Sequence, residues 1–453
     1  METSDNIIYH TYHFLDKSDY ICRTLKLKKM RKLLLSLIFT FICISAVNAV
    51  EFDKYFENRS LRMDVYHWGD SKTSNFILDK FVIEKYWGGS KTILLDEFNY
   101  GSYMVKVIDA QSGKTIYTRG YCTLFQEWQT TEEASKMCRC YEESVSVPMP
   151  KNNAIIEIDE RNSDGVFEKV FSAEYDPKKI YNTPEQRYDF PVYDAHVTGD
   201  PAKKIDIVVI PDGYTAEEMD KFKSDCDALV NVFRTFEPYS SYLDDFNIRG
   251  VLAPSVESGT DIPREGIWKN TIVDCHFDTF YSDRYNTTES YFAVKDVAAC
   301  APYDQIYILV NSTVYGGGGI YNYYSVSTSG NMASAKVIIH EFSHAFAGLA
   351  DEYSGDVEYE EYYNLKIEPW EFNITSLVDF DSKWKFMVDK NTPIPTPATE
   401  KYYDKVGVFE GAGYTPKGMY RPAYDCMMNT FRGDKFCPVC TYAIIQMIEA
   451  YTK

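Results

Sequence analysis

At 453 residues the chain is long enough for two or three domains, and its 45% hydrophobic and 25% charged content excludes a disordered protein. The 47 basic against 67 acidic residues give a formal charge of −20, which argues against a nucleic-acid partner and excludes a polybasic grip on anionic lipid. Thirty-eight Tyr and 27 Phe supply large side chains for more than one core.

The first element in chain order is the apolar run Leu33–Val47, preceded by Lys26, Lys28, Lys29, Arg31 and Lys32 and followed by Asn48 and Ala49. A basic flank, a short apolar stretch and small residues at its end describe a secretory signal peptide over residues 30–49. The run is too short for an anchor, so no transmembrane segment is expected after its removal. Met30 sits where such a signal starts, and residues 1–29 read as an upstream extension. Cys43 does not mark a lipoprotein, because Phe41 and Ile42 before it are too bulky. Removing residues 1–49 leaves 40 basic and 63 acidic side chains and nine cysteines, an odd number, so at least one is unpaired or pairs between chains. The expected location is outside the cytoplasm: secreted, periplasmic or on the cell surface.

Residues 50–195 alternate short apolar runs with turns. Asn75–Ile83, Thr92–Leu95, Tyr103–Ile108, Thr115–Thr118 and Ala154–Ile158 read as strands of an antiparallel β-sandwich, an accessory module without a cluster of catalytic side chains. Prolines at 177, 184, 191 and 201 mark a connector. From residue 200 the order becomes strand, helix, strand. Ile205–Ile210 is a buried strand, and a capping box at Thr215 and Glu218 opens a helix to about Phe236, with Phe222, Cys226, Leu229, Val230 and Phe233 on one face. Asn247–Leu252 and Gln305–Val310 are further strands of this α/β half. Gly316–Gly319 lacks the Gly-Lys-Ser/Thr of a phosphate loop and precedes a strand around Tyr321–Thr328.

Ala333–Gly348 reads as a helix stopped by its glycine. It contains His340-Glu341-Phe-Ser-His344, whose spacing puts both imidazoles on one face about a turn apart, where they can meet one zinc ion. Glu341 between them can take a proton from water. The apolar Val337–Ile339, Phe342 and Ala345–Ala347 bury this helix, and a buried histidine pair calls for a metal. Asp351, seven residues after His344, would lie about 10 Å further along a continuing helix, so it reaches the metal only if the chain turns back at Gly348. Asp351 is the expected third ligand. Glu352 is the adjacent alternative, and Glu360, Glu361, Glu368 or Glu371 would serve if a later element supplied it.

Near the C-terminus, Cys426-Met-Met428 follows a turn-rich stretch, and Met428 beside a zinc helix looks like the methionine floor of metzincin peptidases, with Met427 as its alternative. Tyr424 and Tyr420 are candidates to stabilise an oxyanion. Cys437-Pro-Val-Cys440 raises a second zinc or a redox pair, both of which need further partners. With Cys426 the only nearby thiol, a disulfide among these three is the expectation, tying the methionine turn to a last helix at Thr441–Tyr451.

Asp206–Thr215, Ser255–Pro263, His340–Tyr353, Tyr424–Asn429 and Phe436–Cys440 together resemble the IgA-specific metalloendopeptidase family of secreted bacterial zinc peptidases. The resemblance spans residues 200–453, with a β-rich region before it. It implies an α+β multi-domain chain, an N-terminal β-sandwich followed by an α/β metzincin-like zinc peptidase domain over 200–453. It further implies His340, His344 and Asp351 as ligands of one catalytic zinc, Glu341 as general base, and a protein or peptide substrate, of which immunoglobulin A is one candidate. Gly348 and Asp351 each sit one position later after His344 than in metzincins generally. The competing expectation is a non-catalytic surface adhesion protein with a structural zinc. The strand around Tyr321–Thr328 is where an extended substrate would add, its glycine run permitting close approach.

Overall fold

Long strands with charges on their inner faces begin the described chain. The computed structural model describes residues 50–179, 185–355 and 362–452; the expected leader at 30–49 and extension at 1–29 lie outside the described residues. β1 (Phe56–Gly69) runs between β2 (Ser74–Glu84) and β5 (Arg139–Pro150), antiparallel to both. A second antiparallel sheet has the order β4-β3-β6-β7, built from β3 (Tyr103–Asp109), β4 (Thr115–Tyr121), β6 (Ala154–Arg161) and β7 (Phe167–Tyr175). The sheets meet through aromatic rings: His67 stacks on Phe76 at 3.9 Å, both contact Tyr103, and Phe81 meets Tyr175 at 5.7 Å. The stretch at Thr92–Leu95, expected as a strand, is irregular; Leu94 is buried and its carbonyl accepts from Thr118 N–H.

β1 and β5 escape the alternation rule because they bury charges in pairs. Arg62 donates to Asp64 and Asp296 at 2.9 and 2.7 Å, and His67 shares a 2.8 Å hydrogen bond with Glu143. Removing one partner would leave a buried charge uncompensated, so these pairs fix register as well as contact.

The second half is built on a six-stranded sheet of order β12-β13-β11-β9-β10-β8. Its members are β8 (Val192–His196), β9 (Ile205–Asp212), β10 (Phe246–Val251), β11 (Gln305–Val310), β12 (Gly317–Ile320) and β13 (Tyr324–Thr328). The four inner strands are parallel and the outer two antiparallel. All eight residues of β9 are buried, as expected of a parallel strand covered on both faces. The capping box at Thr215 and Glu218 is formed, and α1 (Met219–Thr235) follows it. Later helices are α2 (Tyr291–Ala298), α3 (Ser334–Ala347) and α4 (Pro438–Thr452). The mixture of helix and sheet with an N-terminal sheet region agrees with the expected class.

The strand expected around Tyr321–Thr328 begins at Tyr324 and is the second strand of a hairpin. The glycine run is itself the outer strand, and β13 lies inside the sheet. Glycine is required there because β12 runs against α3: a Cβ on Gly319 would stand 2.2 Å from the Glu341 carbonyl oxygen. Phe52–Lys453 forms one compact unit, and Cys122 N–H donates to Tyr321 C=O while Asn322 donates to Gly120 C=O across the two halves. Among the described residues no helix is long and apolar enough to cross a membrane.

α3 is anchored by Phe342, fully buried against Phe233, Phe346 and Tyr239 at 4.9, 5.2 and 5.6 Å. Phe342→Ala is expected to destabilise the protein by about 3–5 kcal/mol, read from the urea unfolding midpoint; an unchanged midpoint would contradict this packing.

Candidate metal centre

The sequence of α3 places His340 and His344 on one face, and the following residues turn the chain back over it. Gly348 takes the left-handed conformation at φ 60°, its N–H closing the helix onto the carbonyls of His344 and Ser343. Each imidazole is then oriented by a backbone carbonyl: Nδ1 of His340 lies 3.0 Å from Met427 C=O, and Nδ1 of His344 lies 2.5 Å from Leu349 C=O. A carbonyl only accepts, so both Nδ1 atoms carry a proton, and in the neutral, metal-ligating form both Nε2 atoms present lone pairs.

Those lone pairs face each other. The two Nε2 atoms are 3.0 Å apart, and Asp351 Oδ1 stands 3.2 Å from one and 3.4 Å from the other. Asp351 Oδ2 accepts from Tyr414 O–H at 2.5 Å, whereas Oδ1 is buried and faces the two imidazoles. Three such groups need a positive charge between them, a shared proton or a metal ion. Their separations match the edge of about 3.3 Å expected between ligands held about 2.0–2.1 Å from a tetrahedral zinc. The same electrostatics govern the protons. Burial disfavours a charged His344, but Asp351 and Glu341 reverse the effect and push it up to about 9. Burial would raise Asp351, yet His344 and the hydrogen bonds from both imidazoles hold it well below the usual carboxylate range.

Glu341 offers its carboxylate within 4.8 Å of the ligand atoms of both histidines. Burial raises its carboxyl, and the histidines oppose the shift. His340, Glu341, His344 and Asp351 all line one cleft of about 1610 Å³. Gly317–Ile320 of β12 forms part of its wall, and the N-terminal half contributes Phe98, Tyr100, Glu127 and Arg161.

The other expected residues do not join the histidine cluster, although Glu368 and Glu371 line the same cleft. Glu352 turns away from the histidines, its Oε1 taking a 3.1 Å hydrogen bond from Asn373. Glu368 accepts from Ser376 and Asp379, Glu371 from Tyr363, and Glu360 and Glu361 lie outside the described residues. Met427 and Met428 are both fully buried; the Met427 carbonyl orients His340 and the Met428 carbonyl accepts from Glu352 N–H at 2.7 Å. Tyr424 stacks on Tyr403 at 3.8 Å, and Tyr420 bonds Thr375 through its backbone. Neither lines the cleft. The disulfide expected among Cys426, Cys437 and Cys440 is not formed: all three are free, with Cys440 and Cys437 turned toward Glu352 and backbone N–H groups on the Cys426 and Cys437 sulfurs.

Several cleft residues carry no sequence motif. Arg284 donates to Tyr353 O–H at 3.2 Å, and its charge acts on Asp351 and Tyr315. Glu127, in a short helix capped by Thr123, accepts from Tyr285 O–H, and burial pushes its carboxyl up to about 7. Tyr414 is reached only through a tight turn at φ 62°, 63 residues from the aspartate it touches.

A family model described as IgA Peptidase M64 matches residues 194–405 and 398–448, and one described as Peptidase M64 N-terminus matches residues 51–172. No curated protein matches the chain. Tyr414→Phe removes the hydrogen bond that orients Asp351 and is expected to weaken metal binding at the histidine pair by about 10–100-fold. Competition against a chromophoric chelator checks this, with His340→Ala as the control that removes binding at the histidine pair; unaltered affinity would contradict it.

Proposed function

The chain belongs to the IgA Peptidase M64 family, and on that premise we propose that it is a secreted zinc-dependent endopeptidase acting on extracellular proteins. The single observation that carries the reading is the convergence of His340 Nε2, His344 Nε2 and Asp351 Oδ1 on one point of an open cleft. These three residues hold one catalytic zinc. When bound, zinc supplies a Lewis acid for a peptide carbonyl and lowers the pKa of water toward neutrality.

The remaining chemistry belongs to the chain's own side chains. Glu341 accepts a proton from the attacking water and returns it to the leaving amine. Met427 C=O and Leu349 C=O keep both imidazoles in the Nδ1–H tautomer, and Tyr414 keeps Asp351 turned toward them. Arg284 and Tyr315, rather than Tyr420 or Tyr424, line the cleft beside Glu341 and are the groups available to an oxyanion. An extended substrate lies along β12, the outer strand, whose glycines present bare backbone to the cleft. Immunoglobulin A is one candidate substrate. A metzincin-like arrangement, export through residues 30–49, and a division into a sandwich module over 50–195 and a catalytic module over 200–453 belong to the same proposal.

The adhesion reading needs a closed metal site with four protein ligands. An open cleft beside Glu341 favours catalysis instead. Glu341→Gln is expected to lower kcat/KM on a diverse peptide library by on the order of 10²–10⁴-fold, with circular dichroism and zinc content unchanged. A folded, metallated variant cutting at the wild-type rate would sink the proposal.

A further inference from the structure

The residue after Asp351 faces a second set of ligands on the side away from the cleft. Glu352, Cys426, Cys437 and Cys440 are 0%, 2%, 3% and 0% exposed, and their ligand atoms all lie within 4.8 Å of one another. Cys440 Sγ is 2.9 Å and Cys437 Sγ 3.9 Å from Glu352 Oε1. Sulfurs about 2.3 Å from a tetrahedral zinc stand about 3.8 Å apart, a spacing that atoms all within 4.8 Å of one another accommodate.

Two independent features separate it from a chance packing of thiols. First, the backbone is arranged for anionic sulfur. Cys437 N–H donates to Cys426 Sγ at 3.2 Å and Cys440 N–H to Cys437 Sγ at 3.4 Å, with Pro438 opening α4 so that the turn sits at a helix N-terminus. Second, Glu352 Oε2 is buried without any donor. A carboxylate there needs a cation, and a disulfide between two of the three sulfurs would leave it and the third thiol uncompensated.

We propose that Glu352, Cys426, Cys437 and Cys440 form a second, structural zinc site. Three soft thiolates and one carboxylate suit zinc, and four protein ligands leave no position for substrate. Binding releases the thiol protons to solvent. The site would pin two pieces of the catalytic centre at once. Glu352 directly follows Asp351 and donates its N–H to Met428 C=O, while Cys426 directly precedes the Met427 carbonyl that orients His340.

The test is metal content and cobalt spectroscopy on the full chain purified under reducing conditions without chelator. Two zinc ions per chain are expected, with one remaining in the double variant His340→Ala/His344→Ala. That variant loaded with cobalt(II) should show the near-ultraviolet thiolate-to-cobalt charge-transfer band, and Cys437→Ser/Cys440→Ser should lose the band and one metal. If the cysteine variant does not fold, the spectrum of the histidine variant decides alone. A single zinc that disappears in the histidine variant, a cobalt spectrum without thiolate bands, or a native disulfide among the three cysteines would each overturn the proposal.

Discussion

Two imidazoles whose outer nitrogens are committed to backbone carbonyls must present lone pairs on their inner ones, and a third acceptor, Asp351 Oδ1, faces the same point. That concentration of unpaired acceptors is unfavourable in a buried setting unless a cation joins it. Much of the surrounding structure serves to hold it in place. α3 must be fixed on the sheet, which Phe342 and the glycines of β12 achieve. The chain must reverse after His344, which Gly348 permits at positive φ. The loop carrying Asp351 must be held, and Tyr414 from the turn between β14 (Phe409–Ala412) and β15 (Thr415–Arg421) does so.

The N-terminal sheets participate in this bracing more than an appended module would. Arg119 at β4 donates to Asp304 C=O, Asn322 Oδ1 and Tyr451 O–H at 3.0, 3.0 and 2.7 Å, joining the N-terminal sheets to the residue before β11, to the β12–β13 turn and to the last helix. Arg62 reaches Asp296 of α2, and Arg139 pairs with Glu289 at 2.9 Å. Because the buried charge-assisted bonds of Arg119 and Arg62 are costly to half-satisfy, the two halves hold the β12–β13 hairpin in one arrangement. The cleft wall formed by Glu127 and Arg161 follows from the same docking.

How much of this is legible in the sequence depends on whether the signal is local. β2, β3, β4 and β6 follow from alternation, and β9, α1 and α3 from runs and caps. β1 and β5 do not, because Arg62, Asp64, His67 and Glu143 look like surface residues until their partners are in place. The His340–His344 spacing brings three residues together by local geometry, and the stop at Gly348 lets Asp351 turn back to join them once Tyr414 holds it. Tyr414, Arg284 and Glu127 reach the cleft through tertiary packing and have no spacing to betray them. The cysteines show the same limit: Cys437 and Cys440 are a visible pair, but nothing local connects them with Glu352, 85 and 88 residues away.

The most direct test of the central claim is an anomalous difference map at the zinc edge from crystals of metal-replete protein. The account predicts a peak within about 2.2 Å of His340 Nε2, His344 Nε2 and Asp351 Oδ1, with the remaining coordination position open to the cleft. No peak at that point, or a fourth protein side chain closing the shell, would contradict it.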